Sequence, residues 1–380
     1  MFDTAKLNIK CNIIVRDTGF DFKVYQNGSK FRKRYFNPDA KFIEKYGFHP
    51  KLTTYEYLFG QDWVVRRLDI EGSLKKMVWG SSYLFGLDES NIDLIIATII
   101  KKLKTFGFDC SVYDIESGNV AIIAYCFNFY LPPEYARPKE FILPLAHLDV
   151  GKRSGNVIEK LWLGIKLGYG VKFWNKQRGI GFYDKVAEIE NNKIHTEQDK
   201  EVLFLVKEGK LPHCFKIENT LQNRTAVKQG IAIFYDKDAK KERHIREVLK
   251  NGIAIKYLQN VFDRLSDGRD VKALEQTIYP LSGFYNQAKQ RGLSFKDTQL
   301  LLAHCIGVQQ IGSLQLKQLA DGFPKYGRQY RQRYYENLEK IMPKVEGLRL
   351  FDFFKYCENQ LKNPRIIKLQ DLEALHKQYM

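Results

Sequence analysis

The constraint that most limits the fold is a change of hydrophobic period along the 380 residues. Up to residues 230–241 the chain reads as short strands joined by turn residues, and beyond them as long helices. Strands are expected over 6–14, 21–25, 55–58, 63–70, 119–131, 141–148 and 211–218, with the alternation of apolar and polar residues plainest at 55–58 and 63–70. Such alternation describes strands with one packed and one wetter face, as in an antiparallel sheet. Asp88, Ser90 and Asn91 offer N-cap chemistry to a helix over 92–106, where Leu94, Ile95, Ile99, Ile100 and Leu103 recur at helical spacing up to Gly107. A second helix is expected over 157–165, then a hairpin of 167–174 with 179–189 that turns through Asn175, Lys176, Gln177 and Arg178. The expected fold class is α+β: an antiparallel sheet covered by helices over 1–235, followed by a helical domain over 236–380.

Charge narrows the partners. The chain carries 61 Lys and Arg against 44 Asp and Glu, a formal net charge of +17. An excess of that size on a well-packed chain favours a polyanion, and no segment reads as an amphipathic, Lys-rich membrane anchor. The longest apolar run, 94–100, is far short of the roughly 20 residues that a membrane span needs. The six cysteines, Cys11, Cys110, Cys126, Cys214, Cys305 and Cys357, show neither Cys-x-x-Cys pairing nor zinc spacing. They read as core thiols of a reducing cytoplasm.

Two strands hold candidate chemistry. Alternation over 179–189 puts Tyr183 and Lys185 on one face, with Phe182, Asp184 and Val186 on the other. A phenol with an ordinary pKa near about 10 is a poor nucleophile at neutral pH unless a cation favours its phenolate, a role open to Lys185. Over 211–218, Cys214, Lys216 and Glu218 share a face. A carboxylate on a central strand needs a metal ion or a cation, so Glu218 reads either as a ligand for a hard divalent ion or as a partner of Lys185, Lys216 or Arg224. Glu188, His147 and Asp149 are further donors in the same half. The tetrapeptide Phe-Tyr-Asp-Lys recurs at 234–237, making Tyr235 a rival to Tyr183 at what reads as an exposed strand end. Near the C-terminus, Ser313 can cap a helix over 314–319, residues 321–327 make a turn, and 328–341 reads as a second helix. This is helix-turn-helix spacing, and Lys325, Arg328, Arg331 and Arg333, with Tyr330, Tyr334 and Tyr335 interleaved, suit phosphate and base contacts.

Three stretches in order carry a family resemblance: Leu68-Asp69-Ile70-Glu71-Gly72-Ser73 and the residues that follow, Gly181-Phe182-Tyr183-Asp184-Lys185-Val186-Ala187-Glu188, and Phe215-Lys216-Ile217-Glu218-Asn219. With the basic helical C-terminal part, they resemble the gene II-type rolling-circle replication initiators of filamentous phages and related plasmid proteins. The resemblance implies a catalytic nickase domain over 1–235 and a DNA-binding domain over 236–380. It implies that Tyr183 forms the covalent link to the nicked strand, with Lys185 assisting, and that Mg²⁺ or Mn²⁺ is held by Glu218 with Asp149 and Glu188. The implied partner is single-stranded or locally melted origin DNA, with a host helicase and polymerase as candidate partners in the cytoplasm of a bacterial host cell. The family's Arg-Ile-Asp strand is replaced here by Ile123-Ala124-Tyr125-Cys126-Phe127-Asn128, leaving Asp114, Glu116 or Asp149 to supply that carboxylate. A basic groove with aromatic platforms is expected around the site. The other reading is a DNA-binding initiator or repressor that performs no chemistry.

Overall fold

In a computed structural model of the chain, the described residues are 1–14, 20–26, 28–46, 50–80, 86–131, 153–154, 157–158, 163–167, 169–192, 195–235, 238–266, 288–303, 327–341 and 349–362, with single positions 138, 142 and 364. The fold is mixed α and β around one large antiparallel sheet. Its strands are β1 (Phe2–Ile14), β2 (Lys23–Gln26), β3 (Phe31–Phe36), β4 (Lys51–Phe59), β5 (Asp62–Ser73), β6 (Asn119–Leu131), β9 (Leu163–Leu167), β10 (Gly170–Trp174), β11 (Arg178–Asp184) and β12 (His213–Leu221). Two short strands, β7 (Arg153–Ser154) and β8 (Val157–Ile158), pair separately. The ten strands of the large sheet lie in the order β2, β3, β4, β5, β1, β6, β12, β11, β10, β9.

Alternation gives this sheet two unlike faces. One is aromatic: Tyr125, Phe127 and Phe129 on β6, Phe215 and Ile217 on β12, and Ile180 and Phe182 on β11 are all buried. Phe129 and Phe182 both stack on Phe215, at 5.6 and 6.5 Å between ring centroids. The helix Ile92–Thr105 contributes Ile95, Ile99 and Leu103 to the cluster on this face, and the helices Arg224–Ala232 and Asn251–Ser266 contribute Val227, Ile231, Ile253, Leu258 and Phe262. The core therefore continues past residue 235 without a break. The helix Arg349–Lys362 also reaches the sheet, where the Tyr356 hydroxyl and the Gln360 amide both donate to the Tyr130 carbonyl, at 3.0 and 3.1 Å.

Three expectations need correction. Within 157–165, where a helix is expected, the described residues are strand: 157–158 form β8 and 163–165 begin β9, because Leu163, Ile165 and Leu167 alternate in sequence and β10 offers an edge for them to pair with. Tyr235 is not at a strand end: it lies in the turn after the helix Arg224–Ala232, where the Phe234 and Tyr235 N–H groups donate to the Ile231 and Ala232 carbonyls. Finally, the strand expected over 179–189 stops at Asp184. That side chain accepts from the backbone N–H groups of Val186 and Ala187, both at 3.1 Å, and so caps the helix Lys185–Asn191. Lys185 is thus a first-turn helical residue. The segment 141–148 lies almost wholly outside the described residues, and the first helix of the expected helix-turn-helix lies outside them entirely.

A candidate active site on the polar face of the sheet

The other face of the central strands is polar and largely buried. Antiparallel register sets Tyr183 opposite Lys216 and Gly181 opposite Glu218, while on the far side of β12 Lys216 meets Asn128 and Glu218 meets Cys126. The Lys216 ammonium, 2% exposed, donates to Asp3 of β1 and, at 2.9 Å, to Glu218. Asp3 also accepts from the Ser73 hydroxyl at 2.6 Å, and Glu218 accepts from the Thr220 hydroxyl at 3.0 Å. Ser73 ends β5 and caps the helix Leu74–Trp79. Beside this chain of bonds, Lys185 donates to Glu188 at 2.6 Å, and Lys75 is buried as well. Three carboxylates thus face three ammonium groups.

Electrostatics follow from that balance. Burial opposes ionisation of Asp3, but Lys216, Lys75 and Lys185 outweigh it and hold the carboxyl well below its ordinary range. Burial likewise opposes charge on Lys216, and Asp3 and Glu218 keep its pKa well above the ordinary lysine value. For Glu188, Lys185 and Lys216 overcome burial and lower the pKa.

Tyr183 owes its position to two glycines. A Cβ built on Gly181 would lie 2.2 Å from the Tyr183 hydroxyl and 2.4 Å from Cζ, and one on Gly170, opposite Tyr183 on β10, would lie 3.0 Å from its Cδ1. The phenol ring therefore lies along its own strand in space that any side chain at 181 would fill. The hydroxyl therefore sits over the strand position that pairs with Glu218, whose charge bears on it. The Lys216 ammonium is 5.8 Å from the ring centroid, and the Tyr169 ring is 5.9 Å away. Burial first, then the Glu218 charge, push the Tyr183 pKa well above its ordinary value, with Lys216 pulling the other way. Lys216, rather than the expected Lys185, is therefore the lysine whose charge bears on this phenol. Gly181→Ala should expel the ring from its seat, and ultraviolet titration should then show one more tyrosine ionising near its ordinary pKa.

The remaining expected residues are placed as follows. Glu218 and Glu188 are each bonded to a lysine, and the charge of both bears on Tyr183. Asp149 and Lys325 lie outside the described residues. Arg328, Arg331 and Arg333 are on the helix Gly327–Ile341, with Arg333 exposed. Among the described residues no group of three His, Cys, Asp or Glu side chains converges as a metal site. Glu218 and Glu188 are neutralised by Lys216 and Lys185, so among the described residues this donor set does not fit a divalent cation. Tyr235 has no comparable setting: its hydroxyl donates to the Glu247 carbonyl at 2.7 Å, at the edge of a cavity of about 290 Å³ lined by Phe234, Asp238, Lys241 and Arg243. Asp3, Ser73 and Lys75 are the members that sequence reasoning missed as chemistry. Comparison with protein-family models, with curated proteins and with solved structures finds no match to this chain.

Proposed function

We propose that the chain cuts and rejoins single-stranded DNA through a covalent tyrosine intermediate, as a rolling-circle replication initiator would. The observation that carries this reading is the seat of Tyr183 over Gly181, beside the Glu218 carboxylate and the Lys216 ammonium. Because the phenol stays protonated at neutral pH, it has to lose its proton as it attacks. Glu218 is the neighbouring base, and each of its oxygens has a lone pair left after the bonds from Lys216 and Thr220.

In the step, the Tyr183 oxygen bonds to phosphorus, the bond from phosphorus to the 3′ oxygen breaks, and the phenol proton passes to Glu218. The 3′ oxygen takes a proton from water, leaving a 5′-phosphotyrosine and a free 3′ hydroxyl. Lys216 offsets negative charge gathering on the phosphoryl oxygens. Rejoining reverses these transfers.

The test is to incubate the protein with a randomised pool of single-stranded DNA and to identify the peptide in any covalent adduct. An adduct on the peptide containing Tyr183 is expected. Its absence at every sequence in the pool would favour DNA binding without chemistry. Glu218→Gln should slow adduct formation by about 10² to 10⁴, the usual worth of a general base. The residual rate should then climb with pH to beyond the ordinary tyrosine pKa, since burial holds the phenol up. A pH-independent residual rate would count against Glu218 as the base.

A further inference from the structure

The polar face that carries Tyr183 and Glu218 continues across the sheet to its β2 edge, and there it changes character. Register sets Tyr25, Lys33, Tyr55, Arg67 and Lys10 opposite one another in a single row over β2, β3, β4, β5 and β1. Aromatic rings and cations alternate from Tyr25 to Arg67. The Tyr55 ring lies between the Lys33 ammonium and the Arg67 guanidinium, 5.7 and 4.6 Å from its centroid. On the same face the exposed Arg66 sits 4.5 Å from the centroid of Phe59.

This surface is open. Tyr25 is 60%, Phe59 50% and Tyr57 44% exposed. It is also basic: Arg67 is held by Asp69, but Lys10, Lys23 and Lys33 have no carboxylate within ion-pair distance among the described residues. Exposed rings in such number are costly in water unless something covers them. A protein partner with an apolar surface would leave the interleaved cations unpaired, whereas a polyanion with flat π faces satisfies both.

We infer that the β2 to β5 half of this face binds single-stranded nucleic acid, with bases stacked on Tyr25, Tyr57 and Phe59 and phosphates held by Lys10, Lys23 and Lys33. Stacking on exposed rings beside cations is indifferent to base identity, so the surface grips a strand without reading it. Tyr55 on β4 is four strand spacings from Glu218 on β12, about 19 Å at about 4.8 Å each, and its row meets β1 at Lys10, nine residues along from Met1, where the row of Glu218 meets it, so the two are also about 30 Å apart along the strands on one continuous face. The bound strand would therefore lie along the approach to Tyr183. The inference deepens the nickase reading and takes its choice of polymer from it, but its test does not depend on cleavage.

The experiment measures the affinity of Tyr183→Phe protein for a fluorescent oligo(dT) of about 20 nucleotides by anisotropy, over a range of salt. In that background Tyr25→Ala, Tyr57→Ala and Phe59→Ala should each weaken binding by about 5- to 150-fold, with the salt slope unchanged. Lys23→Ala and Lys33→Ala should each lower the slope of log K against log salt by about 0.7. All five positions are at or near the surface, so folding is checked by an unchanged melting midpoint. Undiminished affinity in the aromatic variants overturns the inference, as does the absence of oligonucleotide binding by the Tyr183→Phe parent. A dimer that the aromatic variants dissociate, with affinity unchanged, would assign the face to a second copy of the chain and also overturn it. Tight binding through these rings with no adduct from wild-type protein would sink the strand-transfer reading and leave this one standing.

Discussion

Replacing Tyr183 by Phe should abolish the protein–DNA adduct while leaving the protein as stable as before, within about 1 kcal/mol. The ring and its hydroxyl play separate parts. The ring fills the space over Gly181 and Gly170 and packs near Tyr169, and phenylalanine retains all of this. The hydroxyl makes no hydrogen bond to a described residue, so little bonding is lost with it. Without that oxygen, nothing remains at the site to form a phosphotyrosine. Tyr235→Phe should show the opposite pattern: it loses the bond to the Glu247 carbonyl, at a cost of about 1 kcal/mol, and forms the adduct at the wild-type rate. Adduct assays and urea denaturation of the two variants check this directly. An adduct from Tyr183→Phe would move the nucleophile elsewhere.

The largest loss of stability is expected from Lys216→Met, about 3 to 5 kcal/mol at neutral pH, because Asp3 and Glu218 would share a buried pocket without the cation between them. The pH dependence has a definite sign. The folded pKa of Asp3 lies below the unfolded value of about 3.9, so its contribution is present above about pH 4 and fades as pH falls through the acid range. The folded pKa of Lys216 lies above the unfolded value of about 10.4, so its contribution is complete below about pH 10 and is lost only as pH rises further. Wild-type stability from this pair should be level between these limits. The difference between wild type and Lys216→Met should begin to narrow at pH 3, where the wild type starts to lose the Asp3 contribution. Denaturation at pH 3 and pH 7 measures it, and an equal gap at both would contradict the pairing.

Some strands were invisible for a physical reason. β3 reads Phe31-Arg32-Lys33-Arg34-Tyr35-Phe36, with charges at three successive positions and no apolar alternation. It is a strand because Arg32 and Arg34 point toward the fully buried Glu56 and pair with it at 2.6 Å each, a carboxylate that also accepts from Thr54. The arginines play the part of core residues only once Glu56 is present on the neighbouring strand. Lys75 was hidden in the same way, since a lysine in Leu74-Lys75-Lys76 looks like a solvated helix face.

The sequence by itself determined the antiparallel sheet, the covering helix near 92–106, the hairpin turn at Asn175 and the shared face of Lys216 and Glu218, because each depends on local period or on a side chain bonding its own backbone. Asn175 closes its turn by accepting from the N–H groups of Gln177 and Arg178. Only the tertiary structure decided which groups meet. Strand order brought Asp3 and Lys216 together across 213 residues of chain, and put Gly170 opposite Tyr183. It also set the row from Tyr25 to Lys10 on the face that carries Tyr183. Period reports which way a side chain points along its own strand, whereas the partner it finds depends on which strands lie beside it, and that is a property of the whole sheet.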